Sequence, residues 1–267
     1  WFIHDCSGRS TIHTIGCVDV TDYLDIIVEP EHAQAFLVAL ADHLAGPDAR
    51  CRALQLCNIP AGSPLLEQWP SLLEARGFTT AVYLQEVCPV IHLPDTWDAY
   101  LSLLDKKQRH ELRRKMRRAG EQVAWYIVGP QHDLQAEMET FLRLMAASTP
   151  EKSGFLADPH NAAFFRAIIP RLYAAGWLQL AFLTIDGRPA ASYLNFDYNN
   201  RVLVYNSGQD AEQYGAYSAG IVLLAYLIRH AIDSRREVFD FLRGDESYKY
   251  QMGGQDTQVF QLRAQRE

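Results

Sequence analysis

Four reactive side chains crowd into one short stretch near the end of the chain: Asp245, Glu246, Tyr248 and Lys249, within Phe239-Asp-Phe-Leu-Arg-Gly-Asp-Glu-Ser-Tyr-Lys249. A carboxylate can take a proton from an amine, a phenol can give one to a departing anion, and an ammonium can steady developing negative charge. Tyr250 is the next phenol along, and Arg243 adds a cation just upstream. The same residues also permit a plainer arrangement, an ion network of Asp240, Arg243 and Glu246 with Tyr248 packed in the core.

A second group of small residues precedes this one. Tyr205-Asn-Ser-Gly208 ends a short apolar segment, and Tyr217-Ser-Ala-Gly220 opens a long apolar run. Ser218 to Asp233 has the pattern of a helix. The start of a helix offers unpaired N–H groups and about half a unit of positive charge, which suits a phosphate. Ser207, Gly208, Ser218, Ala219 and Gly220, with Tyr217, are therefore candidate binding residues for a phosphorylated cofactor. Ser218 would serve equally as an ordinary helix N-cap.

The third group is basic. Lys106 to Arg118 holds eight Lys and Arg against the single acid Glu111, a local charge of +7 in a chain whose formal net charge is −7. The other residues thus carry −14. One concentrated basic element on an acidic body implies a local anionic partner and argues against general affinity for nucleic acid. Arg109, Arg113 and Arg114 are its candidate substrate-binding residues. Lys152, in the polar stretch Ser148 to Asp158, is another if that stretch is a loop over an acceptor.

These groups need elements to hold them. Helical stripes run over Glu31 to Leu44, from Ser63-Pro64 to Arg76, from Thr96 to Ala119, over Leu134 to Ala147, and over Asn161 to Ala174. Strand patterns cover Ala53 to Leu56, Phe78 to Leu93, Gln122 to Val128, Leu178 to Ile185, Pro189 to Phe196, Val202 to Tyr205, Val238 to Phe241 and Val259 to Arg263. Asp186-Gly187 and Asn199-Asn200 are hairpin turns. Glu246 to Met252 reads as a short helix.

Bulk properties fit a globular protein: 267 residues, 48% hydrophobic and 21% charged. The longest apolar run, Ile221 to Ile228, stops at Arg229, well short of the roughly 18 residues a membrane span needs. Five cysteines, Cys6, Cys17, Cys51, Cys57 and Cys88, lie in the first third without close CxxC pairs. That spacing fits reduced thiols and a cytoplasmic location better than disulfides or a zinc site, so no metal is expected.

From Gln122 onward the order β-α-α-β-β-β-α-β-α-β resembles the GNAT acyltransferase fold. The helix-strand-helix-strand series from Glu31 to Leu93, with its Leu73-Glu-Ala-Arg-Gly-Phe78 phrase, resembles the last four elements of the same fold. The resemblance thus implies an α/β (α+β mixed sheet) protein with tandem GNAT copies, the first incomplete. Its parts would be 1–94, a basic linker helix at 95–119, and a complete copy at 120–267. Leu93-Pro-Asp-Thr-Trp97, Lys106-Lys-Gln-Arg-His-Glu-Leu-Arg-Arg114, Leu183-Thr-Ile-Asp-Gly187, Tyr205-Asn-Ser-Gly208 and Phe239 to Lys249 are similar to the CelD-like branch of that superfamily.

This resemblance implies an acyltransferase that uses acetyl-CoA or another acyl-CoA, with a small-molecule or sugar-linked amine as acceptor and a setting in polysaccharide biosynthesis. It implies coenzyme A pyrophosphate at Ser218 to Gly220, where the family often has Pro in place of Ala219. Tyr248 would be the acid, Glu246 or Asp245 the base, and Lys249 the charge stabiliser. Two alternatives stand beside it: a Fem-like transferase using charged tRNA, and a non-catalytic module of a polysaccharide-assembly complex.

Overall fold

The computed structural model describes residues 2–6, 9–16, 20–47, 49 and 52–266. Cys17 and Cys51 lie outside the described residues, as do the side chains of Cys6 and Ala119. Cys57 and Cys88 are not in disulfides. The chain forms two compact units. The first takes residues 1–88, 243–245 and 256–267, and the second takes 89–242 and 246–255.

In the first unit, β1 (Phe2–Cys6), β2 (Arg9–His13), β3 (Ala53–Pro60), most of β4 (Thr79–His92) and most of β10 (Gln255–Gln265) lie in the order β1-β2-β3-β10-β4. β1 and β2 were not foreseen from the sequence pattern. Helix α1 (Ala33–Ala45) buries Ala33, Leu37, Leu40, Ala41 and Leu44, the helical spacing expected of one apolar face. Ser63 caps α2 (Pro64–Glu67), its hydroxyl accepting from Leu65 N–H at 3.1 Å, and α3 (Trp69–Glu74) follows. These helices, β3 and β10 share a core that includes Leu37, Leu54, Ile59, Trp69, Leu73 and Leu262.

In the second unit the end of β4 leads a series β4-β9-β8-β7-β6-β5, made of β5 (Val123–Ile127), β6 (Leu178–Ile185), β7 (Arg188–Tyr198), β8 (Arg201–Gln209) and β9 (Val238–Asp240). Neighbours are antiparallel except β8 and β9, which run parallel. Both hairpin turns form as their residues dictate. Asp186, Gly187, Asn199 and Asn200 all have positive φ, as tight two-residue turns require.

Alternation along β6 explains the layering. Leu180 and Phe182 pack with α6 (Leu134–Ser148) and α8 (Pro159–Ala174), while Ala181 and Leu183 pack with α10 (Ala219–Asp233). With both faces covered, the strand is apolar throughout, which is why it reads as a continuous run. α10 buries nine side chains and is the unit's central helix.

Two expectations are corrected here. The single helix from Thr96 to Ala119 is two, α4 (Trp97–Leu103) and α5 (Lys106–Ala119). Leu104 is extended, and Asp105 starts α5 by accepting from Gln108 N–H at 2.8 Å. Tyr100, Leu101, Leu104 and Leu112 join the core beneath α10, so both helices belong to the second unit. The polar stretch from Ser148 to Asp158 is likewise no loop. Ser148 ends α6, and Thr149 caps α7 (Pro150–Ala157) by accepting from Lys152 N–H at 3.3 Å. Pro150 suits the first helical turn. The remaining short helices are α9 (Ala211–Tyr214) and α11 (Ser247–Gln251).

β8 is longer than its apolar core implies, because Ser207 and Gly208 continue it to Gln209. Gly208 lies directly against α6. A Cβ there would stand 2.4 Å from Met145 N and 2.6 Å from the Leu144 carbonyl carbon. Gly208→Ala should therefore lower stability by about 1–3 kcal/mol, as overpacking against backbone does, read as a fall in urea midpoint.

Candidate active site

The site begins where β8 and β9 part. Their parallel ladder holds over three pairs, Arg201↔Val238, Val202↔Phe239 and Leu203↔Asp240, after which β8 continues for six residues. Asp240 causes the parting. Its buried carboxylate accepts from Leu242 N–H at 2.8 Å, and Leu242 adopts φ 57°, turning the chain away from β8. Arg201 reaches the other carboxylate oxygen at 3.5 Å. On its opposite edge β8 pairs with β7, where Tyr205 is the extra residue of a bulge between Leu194↔Asn206 and Asn195↔Val204. Asp240 thus has a structural task.

Beyond the turn, α11 carries the reactive cluster. Lys249 is only 2% exposed, and its Nζ lies 2.9 Å from Glu246 Oε2 and donates to the Leu242 carbonyl at 3.2 Å. Glu246 itself is 57% exposed, so one end of the pair faces solvent. Tyr248 packs edge-on to Phe241, their ring centres 6.2 Å apart. Burial, reinforced by the charge of Glu246, raises the Tyr248 pKa well above the ordinary phenol range. Buried Tyr193 on β7 is raised in the same way, by burial and then by Tyr248. Both phenols hold their protons through the physiological range. The end of α11 is fixed by Tyr100, whose hydroxyl donates to the Met252 carbonyl at 2.9 Å.

Lys152 completes the cluster from the other face of the sheet. Its Nζ donates to the Ser207 carbonyl at 2.6 Å and to Ser207 Oγ at 3.4 Å, on the part of β8 that has left β9 behind. Burial lowers its pKa from 10.5 to about 8, and Glu246 opposes the shift. Ser207, Lys152, Glu246, Tyr248 and Lys249 are thereby brought together. In the sequence Tyr193 reads as sheet packing, and Tyr100 carries no signal of a role. Their contacts depend on register and on a long-range approach, which one-dimensional spacing does not show.

The start of α10 is a second element of the site. A turn of 3₁₀ helix over Gly215–Tyr217 leads to Ser218, which has left-handed backbone (φ 52°) and makes no side-chain cap bond. Its hydroxyl therefore does not cover the first-turn N–H groups of this 15-residue helix. Ala219 is buried, and a Cβ on Gly220 would stand 2.7 Å from Gln209 Oε1, so the end of β8 lies against this turn. Tyr217 donates to Gln122 Oε1 at 3.2 Å. Gly208, by contrast, faces α6.

Other expected residues lie elsewhere. Arg243 and Asp245 belong to the first unit, where Arg243 Nε donates to Asp22 at 2.9 Å and Asp245 is exposed. On α5, Arg114 is tied to Glu111 by two bonds of 2.7 and 2.8 Å, Arg109 leans on the Leu101 carbonyl at 3.4 Å, and Arg113 is exposed. A groove of about 340 Å³ beside α5 is lined instead by Lys107, Gln108 and Lys115, with Ile221 of α10 and Met252.

A family profile described as an acetyltransferase (GNAT) domain matches residues 106–250, more than half of the chain. The chain belongs to the GNAT acetyltransferase family. It is an acyltransferase, and domains of this family generally use acyl-CoA. No curated protein matches it. Among solved structures it is similar to FemX, with 11% identity over 97% of this chain and 82% of that one and a TM-score of 0.66. A conserved protein of unknown function from Bacteroides thetaiotaomicron VPI-5482 is 12% identical over 99% and 82%, with a TM-score of 0.60. L-PGS from Bacillus licheniformis is 11% identical over 99% and 79%, also with a TM-score of 0.60. At these identities the likeness is one of fold, which is mixed α/β and GNAT-like. Among the described residues no single helix is long and apolar enough to cross a membrane.

The lowered pKa of Lys152 has a thermodynamic consequence. Between about pH 8 and 10.5 the unfolded chain holds this proton and the native protein does not, so native stability rises with pH across that window. Below about pH 8 the cost of burying the ammonium is fully present. Urea midpoints measured from about pH 7 to 10 should therefore climb more steeply for the wild type than for Lys152→Met.

Proposed function

We propose that the protein is an acyl-CoA-dependent N-acyltransferase, an acetyltransferase in the first instance, acting on the amino group of a small or sugar-linked acceptor. The observation that carries this reading is the open edge of β8, with Lys152 and Ser207 along it and Tyr248, Lys249 and Glu246 on and before α11, beyond the parted β9. When bound, coenzyme A supplies the acyl group as a thioester. The uncapped first turn of α10, at Ser218, Ala219 and Gly220, would hold its pyrophosphate. Ser207 and Tyr217 precede this turn in sequence and would line the donor site.

The remaining chemistry belongs to the chain. Glu246, half in solvent, takes a proton from the acceptor ammonium directly or through a water. Burial keeps Tyr248 protonated, and it gives that proton to the thiolate as the C–S bond breaks. Lys249 holds Glu246 in place and lends positive charge near the reacting carbonyl. Asp245, Arg243, Arg109, Arg113 and Arg114 stay acceptor-side candidates outside this cluster. The CelD-like resemblance adds a cytoplasmic setting in polysaccharide biosynthesis, and residues 1–94 read as an incomplete first GNAT copy.

A second reading, Fem-like transfer from charged tRNA, is favoured by the exposed Arg113, Arg117 and Arg118 of α5. It requires salt-sensitive tRNA binding that is lost when those arginines are neutralised.

The first reading is tested with acetyl-CoA. It should raise the melting temperature, and Ser218→Glu should weaken that effect by placing a like charge at the phosphate position. Tyr248→Phe should lower kcat by about a hundredfold or more while leaving the fold intact, as loss of a general acid does. Absence of a thermal shift with every acyl-CoA tried, or full turnover by Tyr248→Phe, would sink it.

A further inference from the structure

Lys152 is an amine, and acyl transfer to nitrogen consumes amines. Its Nζ donates to the Ser207 carbonyl at 2.6 Å and to Ser207 Oγ at 3.4 Å, on the stretch of β8 that has left β9 behind. Ser207 stands opposite Tyr193 on β7, and the charge of Tyr248 reaches Tyr193. Glu246 is near enough to act on Lys152 itself. The amine thus stands at the open strand edge, beside the groups that would move protons in the transfer.

Its surroundings set it apart from the other four lysines. Lys106, Lys107 and Lys115 lie on α5, the first two exposed and Lys115 3.9 Å from Glu111. Lys249 is buried on α11 and donates inward to the Leu242 carbonyl. Lys152 is half-buried, and burial brings its pKa down to about 8 against the pull of Glu246. A sizeable share of this amine therefore has its lone pair free near neutrality, where an ordinary lysine is almost wholly charged. The flexible four-carbon stem lets Nζ swing off the Ser207 carbonyl while α7 stays in place. Acylation would also turn a half-buried ammonium into a neutral amide, which removes the cost of burying the charge.

We propose that Lys152 is an internal acceptor: with no other amine in the site, the protein transfers one acyl group from acyl-CoA to its own Lys152. This rests on the acyl-transfer reading. The neutral Nζ attacks the thioester carbonyl, the N–C bond forms and the C–S bond breaks. Glu246 takes the proton that the nitrogen sheds, Tyr248 protonates the thiolate, and solvent returns the proton from Glu246 to the phenolate. The products are an amide on Lys152 and the free thiol of coenzyme A. The amide is inert to water on this timescale, so the reaction stops after a single turnover.

The test incubates the full chain with isotope-labelled acetyl-CoA and no added amine, and follows the label on each lysine by peptide mass spectrometry. Lys152 should take up the label at least about tenfold faster than Lys106, Lys107 and Lys115, the advantage of a held reactant over a colliding one. Thiol release should level off at one per chain, and Lys152→Arg should abolish that burst. Excess unacylated coenzyme A, which competes for the donor site, should suppress the label on Lys152 and leave that on α5 unchanged. Thermal protection by acetyl-CoA is the fold control for the variant. Label on Lys152 no faster than on α5, label on Lys249 in its place, a burst that survives Lys152→Arg, or indifference to coenzyme A would each overturn the proposal. If acetyl-CoA protects the protein and Lys152 stays unlabelled, the inference falls alone. If acetyl-CoA gives neither protection nor label, the reading beneath it falls as well.

Discussion

The hydrogen bond from Leu242 N–H to the Asp240 carboxylate governs the second unit's chemistry. It closes β9 after three pairs and turns the chain through a residue with positive φ, in a place where a longer strand would have continued the ladder. Without that turn, β8 would be paired on both edges and the Ser207 carbonyl would have no vacancy for Lys152. Nor would α11 start where it does, with Lys249 directed back at the Leu242 carbonyl. A buried acid thus decides where the reactive groups stand.

The electrostatics follow from that placement. Lys249 is carried into the interior by its helix and meets Glu246 and the Leu242 carbonyl there. Lys152 is carried in from the opposite face of the sheet and finds mainly dipoles. The phenols beside them are kept protonated by the same exclusion of water. In the proposed acyl transfer the proton donor and the base must not neutralise each other, and Tyr248 is largely buried where Glu246 is 57% exposed.

Much of this was legible in the residues. The hairpins at Asp186-Gly187 and Asn199-Asn200, the apolar β6 and the stripe of α10 follow from local physics, and each lies where its pattern puts it. Tyr248, Lys249 and Glu246 were legible because reactive types at helical spacing lie together without help from elsewhere in the chain. Less legible was anything decided by a single cap or a close approach. Asp105 divides what reads as one amphipathic helix, because its carboxylate offers the Gln108 N–H a partner that periodicity does not register. Thr149 and Pro150 convert a polar stretch into a helix, and only then does Lys152 reach Ser207. Gly208 reads as a cofactor-binding residue ahead of a helix start, whereas its lack of a side chain answers to α6, far back in the chain.

That contact at Gly208 bears on how the site can move. Where side chains separate a strand from a helix, changes of rotamer let the two slide or tilt by small steps. Here the strand meets the main chain of α6 at Leu144 and Met145, and main chain has no rotamers to change. Strand and helix must shift together as one stiff plate, and Lys152, whose helix follows α6 after Thr149, is mounted at its rim. Any opening or closing around a substrate then falls to the opposite bank, to α11.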